Sequence, residues 1–232
     1  MLFCLAELAE FCAGKKQHMN KNIADIRKDY QLQSLSETDI AADPFIQFNR
    51  WWDDAVKSEL DEINAMTLAT ASVSGVPSAR IVLLKSVTEE GFIFFTNYNS
   101  HKGKELEENP QACLVFFWKE LERQVRITGR VEKVSAAESD EYFNSRPAGS
   151  RIGAWASPQS TVIPSREVIE KNIVQVEEQF AGAEITRPLH WGGYIVIPSV
   201  IEFWQGRPNR LHDRLQYAKM EDRSWKIERL AP

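Results

Sequence analysis

The feature that most constrains the fold is a series of short segments in which apolar and polar residues alternate. Five follow one another: AMTLATAS (65–72), SARIVLLK (78–85), GFIFFTN (91–97), ACLVFFW (112–118) and ERQVRITGRVEKV (122–134). A period of two places alternate side chains on opposite faces of a strand, and short strands at this spacing are typical of barrels and sandwiches. The fifth segment alternates most clearly, because Val125, Ile127 and Val131 are apolar and the residues between them are mostly polar. One face of this strand is therefore predicted to line a core.

Helical periodicity flanks these strands. Apolar residues at steps of three and four predict a helix from Asp43 to Ile63, with Trp51 and Trp52 as core anchors. A capping-box sequence at 135–138 predicts the start of a second helix, and a third is predicted over about 165–180. Three further strand regions complete the chain: GGYIVIP, VIEFWQG and a hairpin from RLHDRLQY to WKIERL. The fold predicted is a single domain, mainly β with flanking helices (α+β).

Composition excludes several classes of function. The 232 residues carry a formal net charge of −5, which gives no global positive field for a nucleic-acid backbone. Any anion site must therefore be a local cluster of cations. Three cysteines without CxxC spacing and four histidines without ligand spacing predict neither a disulfide framework nor a metal site, and they fit a cytoplasmic protein.

Residues 1–22 are interpreted as an N-terminal extension, expected to be flexible, ahead of one domain over residues 23–232. The apolar run at the start is short, is interrupted by Glu7 and Glu10, and precedes the first lysines, which is the reverse of a secretory signal. Met19 is an alternative start. No segment approaches the roughly 20 apolar residues of a membrane span, so no membrane association is expected.

Four clusters of cationic and hydroxyl residues stand out in this acidic chain: RIVLLK (80–85), TNYNSHKGKEL (96–106), EYFNSRPAGSRIGAWASPQS (141–160) and IEFWQGRPNRLHDR (201–214). The second places hydroxyls and cations where a helix is predicted to begin, a common phosphate-binding arrangement. In the fourth, Arg210, His212 and Arg214 would share one face of an extended strand. Each cluster also has a structural explanation, as solvated strand ends, a capped helix or cross-strand ion pairs. Together they favour two phosphorylated ligands, one cofactor and one substrate.

In this order the clusters resemble the pyridoxine (pyridoxamine) 5′-phosphate oxidase family. The matching stretches run from about residue 23 to the terminal WKIERLAP. The resemblance implies an FMN-binding split β-barrel that works as a homodimer with FMN at the subunit interface. It also implies oxidation of pyridoxine 5′-phosphate or pyridoxamine 5′-phosphate to pyridoxal 5′-phosphate, with dioxygen as electron acceptor and hydrogen peroxide as by-product.

The resemblance also assigns site residues position by position. FMN contacts are expected at Arg80, Ile81, Val82, Leu83, Leu84, Lys85, Phe95, Thr96, His101, Lys102, Gln124, Gln159, Ser160, Trp204 and Arg214. Substrate contacts are expected at Arg27, Tyr30, Lys85, Tyr142, Arg146, Ser150, Arg210 and His212. Within that second set, the four residues from Lys85 to Ser150 would hold the phosphate ester, and Arg27 with Tyr30 would belong to a segment that closes over the substrate.

Arg210 and His212 are the two catalytic residues that the resemblance implies. Arg210 is expected to orient the substrate and favour the developing electron distribution, and His212 to help bind or deprotonate it.

Two residues depart from the family pattern. His101 stands where the family most often has Arg, and Phe95 where Tyr is common. A neutral imidazole lacks the charge and the bidentate grip of a guanidinium, so we expect weaker or more pH-dependent FMN binding.

Three other functions stay open. They are a different split-barrel flavin enzyme acting, for example, on a phenazine-like precursor; a non-catalytic carrier of flavin or pyridoxal phosphate; and a β-barrel interaction protein with solvated arginines.

Overall fold

A computed structural model describes residues 23–26 and 28–232. In chain order its main elements are α1 (Pro44–Lys57), β1 (Ala65–Ala71), β2 (Pro77–Leu83), β3 (Ser86–Val87), β4 (Phe92–Asn97), α2 (His101–Glu108), β5 (Gln111–Trp118), β6 (Arg123–Lys133), α3 (Ala136–Ser145), α4 (Ala148–Ala156), α5 (Glu167–Gln179), β7 (Trp191–Gln205), β8 (Asp213–Lys219) and β9 (Trp225–Arg229). Short 3-10 helices lie at Ile23–Asp25, Lys119–Leu121 and Pro208–Arg210. The predicted extension, residues 1–22, and Arg27 lie outside the described residues.

The strands of the described region form one curled antiparallel sheet, which confirms the predicted mainly β fold with flanking helices. The order is β2-β1-β5-β6-β7-β4-β3, with β8 and then β9 added beside β7. β6 pairs along one edge of β7, while the other edge pairs first with β4 over 191–196 and then with β8 over 200–205. The sheet therefore divides at the middle of β7.

The sequence predicted two strands where the structure has the single 15-residue strand β7. Pro198 interrupts the apolar pattern and lacks the N–H that a central strand needs. The bulge that accommodates it lies in β7 itself, because Thr128 pairs with Val200 and the next residue, Gly129, pairs with Pro198, which leaves Ser199 as the extra residue. Such a bulge lets a strand continue past a residue that cannot complete the ladder.

Helix α1 is shorter than predicted. It begins after Asp43, whose carboxylate accepts hydrogen bonds from the backbone N–H groups of Phe45 and Ile46, and it ends at Lys57. Glu59 and Glu62 then adopt left-handed conformations, with φ of 51° and 45°, which a continuing helix excludes. The prediction to Ile63 was wrong because apolar residues beyond the helix still pack on the core and extend the pattern.

The core lies between α1 and the concave face of the sheet. Phe48 contacts Phe92 and Phe116, and Trp51 packs edge-on against Phe203. Phe48 and Trp51 are almost fully buried, and Trp52 is partly buried against the same core, so the prediction of core anchors is confirmed. Burying each such side chain contributes about 1.5–3 kcal/mol.

A helix that the sequence analysis did not predict follows α3. Ser135 caps α3 by accepting a hydrogen bond from the N–H of Glu138, as the capping-box pattern predicted. The chain is extended at Arg146, as expected before a proline, and turns at Pro147 into α4. Pro147 therefore both separates the two helices and opens the second.

The RLHDR stretch is not extended throughout. β8 begins only at Asp213, and Arg210 belongs to the 3-10 turn with a φ of 63°. The expected shared strand face of Arg210, His212 and Arg214 is therefore wrong, because two of them precede the strand. The predicted hairpin from RLHDRLQY to WKIERL is confirmed, since β8 pairs antiparallel with β9 from Leu215 and Arg229 to Lys219 and Trp225. Among the described residues, no helix has both the length and the apolar character that crossing a membrane requires.

Candidate functional site

One cavity of about 660 Å³ lies where β2 and β4 meet the α3–α4 region, a size suited to a small organic ligand. Many of the predicted contact residues line it: Ile81, Val82, Leu83, Lys85, Phe95, Thr96, Lys102, Tyr142, Arg146, Ser150 and Gln159. Asn97, Pro147, Gly153, Ala154, Ser157 and Trp191 complete the lining. We call this space the main cavity.

Lys102 marks the first cationic part of the main cavity. Its Nζ lies 3.3 Å from the Thr96 hydroxyl and 3.4 Å from Oε1 of Gln159, both neutral partners. Burial, and then the nearby positive charge of Arg80, lowers the pKa of Lys102. A bound anion would relieve both effects, because it would supply the opposite charge that these neutral partners do not.

Arg80 and His101 lie beside this part of the cavity and do not line it. Both contact the buried carboxylate of Glu105, Arg80 at 3.3 Å and His101 Nε2 at 3.1 Å. Burial opposes ionisation of Glu105, but hydrogen bonds from Ser78 and Thr70 and the nearby positive charges outweigh it and lower its pKa. The carboxylate therefore stays charged and fixes Arg80 at the edge of the site.

Arg146 marks the second cationic part. Its guanidinium lies over the Trp191 ring at 4.6 Å, and its buried Nη1 has no hydrogen-bond partner among the described residues. Burial lowers the pKa of Arg146. Pro147 leaves the N-terminus of α4 without a side-chain cap, and Ser150 lies in its first turn. An unpaired guanidinium beside an uncapped helix N-terminus suits a phosphate group.

Aromatic rings form a flat wall between these polar groups. Phe95 stacks on Tyr142 with ring centroids 4.1 Å apart and on Trp191 at 5.5 Å, and the Lys85 ammonium lies 5.8 Å above the Tyr142 ring. Stacked aromatics of this kind can pack against another planar ring.

Tyr30, Trp204 and His212 form a separate group, here called the aromatic cluster. The His212 ring lies 4.6 Å from Trp204 and 6.0 Å from Tyr30. His212 Nδ1 accepts a hydrogen bond from the backbone N–H of Arg207 at 3.1 Å. Burial, and then the charge of Arg210, lowers the pKa of His212. The ring is therefore neutral at pH 7 with its proton on Nε2, which is left as a donor.

Gln124, Trp204 and Arg214 lie in one row across the sheet, because Gln124 pairs with Trp204 and Trp204 with Arg214. Phe117, which is 52% exposed, continues that row on the same face. Arg214 donates to the buried carboxylate of Glu202 at 2.7 Å, and this hydrogen bond raises its pKa. Arg214 is thus held in place on this face.

The structure does not bring all the predicted contacts together. Tyr30, Gln124, Trp204, Arg210, His212 and Arg214 do not line the main cavity. Leu84 is buried in the core, and Ser160 is exposed with a φ of 69°. Arg27 lies outside the described residues. Within one chain the predicted site therefore falls into two parts, the main cavity and the region of the aromatic cluster.

The sequence analysis missed some lining residues. Asn97 ends β4 and was hidden among the polar residues of the following turn, while Ser157 follows α4, which was not predicted. No group of three or more His, Cys, Asp or Glu side chains in residues 23–26 and 28–232 is arranged to hold a metal ion.

Comparison with known families gives two adjacent matches. Residues 52–180 match the model described as "Pyridoxamine 5'-phosphate oxidase", and residues 191–232 match "Pyridoxine 5'-phosphate oxidase C-terminal dimerisation region". A protein named pyridoxine/pyridoxamine 5′-phosphate oxidase from Nostoc sp. (strain PCC 7120) is 61% identical over 92% of this chain and 100% of its own length. One of the same name from Ralstonia pickettii is 59% identical over 91% of this chain and 99% of its own.

Solved structures share the fold. PhzG from Burkholderia lata, in complex with tetrahydrophenazine-1-carboxylic acid, superposes with a TM-score of 0.81 at 29% identity and covers 88% of this chain and 100% of its own. An FMN-binding protein from Nostoc punctiforme, described as pyridoxamine 5′-phosphate oxidase-related, has a TM-score of 0.64 at 16% identity over 86% of this chain and 100% of its own. The second likeness supports the predicted split-barrel fold alone.

Proposed function

The chain belongs to the pyridoxamine 5′-phosphate oxidase family, and on that premise we propose that it oxidises pyridoxine 5′-phosphate or pyridoxamine 5′-phosphate to pyridoxal 5′-phosphate. The observation that carries this proposal is the main cavity, where two separate cationic groups flank a flat aromatic wall. Two planar, phosphorylated ligands, a cofactor and a substrate, would each place a phosphate against one of these cationic groups. We assign the enzyme to the cytoplasm on its cysteine content.

FMN is the proposed cofactor, and the unmet charge around Lys102 fits its phosphate. Lys102, Thr96 and Gln159 would hold that group, with Arg80 and His101 beside them. The exposed strand β2 from Ile81 to Leu83 would lie along the rest of the cofactor, together with Lys85, Phe95 and Ser160. When bound, FMN supplies the acceptor for the hydride equivalent leaving the substrate, and dioxygen takes up the electrons to give hydrogen peroxide.

Arg146 carries the proposed recognition of the substrate phosphate. Its Nη1, which has no partner within residues 23–26 and 28–232, would bind the ester oxygens together with the Lys85 ammonium and the Ser150 hydroxyl at the start of α4. Tyr142 adds a hydroxyl to this group. These phosphate contacts are remote from the reacting carbon, so their binding energy can hold the pyridine ring in a reactive orientation.

Arg210 and His212 would act on the other side of the substrate ring, with Tyr30 and, by resemblance, Arg27 closing over it. With Nδ1 engaged by the Arg207 N–H, His212 can donate a hydrogen bond from Nε2, and this geometry favours binding over proton abstraction. Arg210 is exposed, and its backbone adopts a left-handed conformation that costs conformational energy. Strained residues of this kind are concentrated at functional sites. We assign it the orienting role.

A homodimer would bring the two parts of the site together. Gln124, Trp204 and Arg214 lie on a sheet face that also exposes the apolar side chains of Phe117 and Ile81, which are 52% and 64% exposed. An apolar sheet face of this kind is suited to a second copy. The match of residues 191–232 to a dimerisation region supports the same arrangement. Each site would then use the main cavity of one protomer and the aromatic cluster of its partner.

A flavin enzyme acting on a phenazine-like precursor is the second candidate, and the structural likeness to PhzG favours it. The 57–61% identity to proteins named pyridoxine/pyridoxamine 5′-phosphate oxidase favours the first candidate more strongly.

Aerobic incubation of the FMN-loaded protein with pyridoxine 5′-phosphate tests the proposal. Pyridoxal 5′-phosphate and hydrogen peroxide should form in equal amounts. If the protein binds FMN but forms neither product, it is a carrier. If it shows no flavin absorbance band after purification and does not take up added FMN, the cofactor assignment is wrong as well.

A further inference from the structure

We propose that Glu122 is a positioning residue that fixes Tyr30 against His212 and thereby shapes the cover over the substrate. This inference rests on the proposed function, because it concerns how that site is assembled. Glu122 does not line the main cavity and belongs to none of the predicted contact sets. It lies at the tight turn between β5 and β6, and only 2% of its surface is exposed.

The carboxylate of Glu122 holds the segment 28–35, here called the strap. Its Oε2 accepts hydrogen bonds from the backbone N–H groups of Gln31 at 2.8 Å and Leu32 at 3.1 Å. Its Oε1 lies 3.4 Å from the ammonium of Lys28. These contacts span about 90 residues of sequence, so they fix the strap to the barrel. Tyr30 lies within the stretch that they hold.

The backbone of the same residue holds the loop that carries His212. The Glu122 carbonyl accepts a hydrogen bond from the N–H of Gly206 at 2.7 Å. Gly206 begins the β7–β8 loop, and a Cβ there would lie 2.6 Å from Cγ of Tyr30. Tyr30 thus packs directly on this loop, with its ring 5.7 Å from Trp204. One residue therefore ties together the strap and the loop that Tyr30 contacts.

Glu122 is also the strap anchor closest to Tyr30. Other side chains hold the strap further along: Arg123 contacts the Gln33 side chain, and Asp213 accepts from the N–H of Leu35 at 3.1 Å. Losing the Glu122 carboxylate would free the Tyr30 end and leave the later anchors intact. The expected consequence is a looser cover over the substrate, with the fold and the FMN contacts retained.

Paired substitutions test this role. Glu122→Gln retains an oxygen that can accept both N–H bonds, whereas Glu122→Ala removes them, and both keep the Cβ at this left-handed position (φ 55°). We expect Glu122→Ala to raise KM for pyridoxine 5′-phosphate about 10-fold, the effect of roughly one charged hydrogen bond, while kcat stays within a few fold. Glu122→Gln should restore most of the loss. Glu37→Gln is the control, because Glu37 follows the strap but pairs with Arg229.

Amide hydrogen exchange provides a readout that does not depend on turnover. Exchange at Gln31 and Leu32 should accelerate in Glu122→Ala and not in Glu37→Gln, while both variants keep a single cooperative thermal unfolding transition. In a Tyr30→Ala background, adding Glu122→Ala should change KM little further, because both act through the same contact. Full additivity, or an unaltered KM in Glu122→Ala, would overturn the inference. Wild-type protein that forms no pyridoxal 5′-phosphate would instead reject the proposed function.

Discussion

At the scale of single residues, the two cationic parts of the main cavity differ in how they are satisfied. Lys102 has neutral hydrogen-bond partners, whereas a buried nitrogen of Arg146 has none among the described residues. A buried donor without a partner costs about 1–3 kcal/mol. Binding of an anion is expected to remove this cost, because the anion gives the Arg146 nitrogen a hydrogen-bond acceptor. Arg146 is therefore the residue whose loss should distinguish phosphorylated from free substrate.

Arg146→Ala should raise KM for pyridoxine 5′-phosphate far more than for free pyridoxine. A charged hydrogen bond contributes about 1.5–3 kcal/mol, which corresponds to a rise of roughly 10- to 150-fold. Steady-state kinetics with both substrates measures the difference. Arg151→Ala is the matched control, since Arg151 also has a buried nitrogen with no partner in the described part of the chain but does not line the cavity. Equal effects on both substrates would exclude the phosphate contact.

His212 should give the acid limb of the pH profile. Its pKa lies below the ordinary value of 6.5, because burial and the charge of Arg210 disfavour the imidazolium. We expect kcat/KM to be at its maximum at pH 7 and to fall only at lower pH. There Nδ1 is protonated and can no longer accept the hydrogen bond from the Arg207 N–H. We expect kcat/KM measured from pH 5 to 8 to show this limb in the wild type and not in His212→Asn. A limb that persists in the variant belongs to another group, such as the substrate phosphate.

At the scale of elements, alternation predicted most strands to within one or two residues, because strands such as β5 and β6 bury one face and expose the other. It could not show that β7 is continuous, since Pro198 is accommodated by a bulge at Ser199 that depends on pairing with β6. Nor could it show α4, because Pro147 ends one helix and begins another. The shared strand face expected of RLHDR was wrong for a similar reason, since turn geometry at Arg210 depends on long-range packing.

Gly129→Ala should destabilise the β6–β7 bulge. A Cβ at Gly129 would lie 2.1 Å from the backbone oxygen of Ile197, and backbone cannot move aside as a side chain can. Overpacking of this kind costs about 1–3 kcal/mol, and each kcal/mol lowers the melting temperature by roughly 2–4 °C at this chain length. Thermal denaturation measures the shift. Gly149→Ala should show no loss, because nothing lies within 4 Å of its added methyl group; equal melting temperatures would refute the clash.

At the scale of the whole molecule, the residues expected around one site occupy two regions of the chain. The order of motifs along the chain predicted the members of this set but not their distribution, because a cross-strand row such as Gln124, Trp204 and Arg214 exists only once the sheet has formed. Apolar side chains on the same face, including Phe117 and Ile81, account for the separation if a second copy covers them. The proposed reaction therefore requires a site that two protomers complete.

Mixed dimers test this claim most directly. Arg146→Ala weakens substrate binding in the main cavity, and Arg210→Ala removes the orienting group beside the aromatic cluster, so each homodimer should have little activity at a pyridoxine 5′-phosphate concentration near the wild-type KM. In a heterodimer of the two variants, purified by two different tags and loaded with FMN, one site carries both substitutions and the other carries neither. Two-fold symmetry then predicts recovery of about half the wild-type rate of pyridoxal 5′-phosphate formation. A heterodimer no more active than the two homodimers would contradict the account.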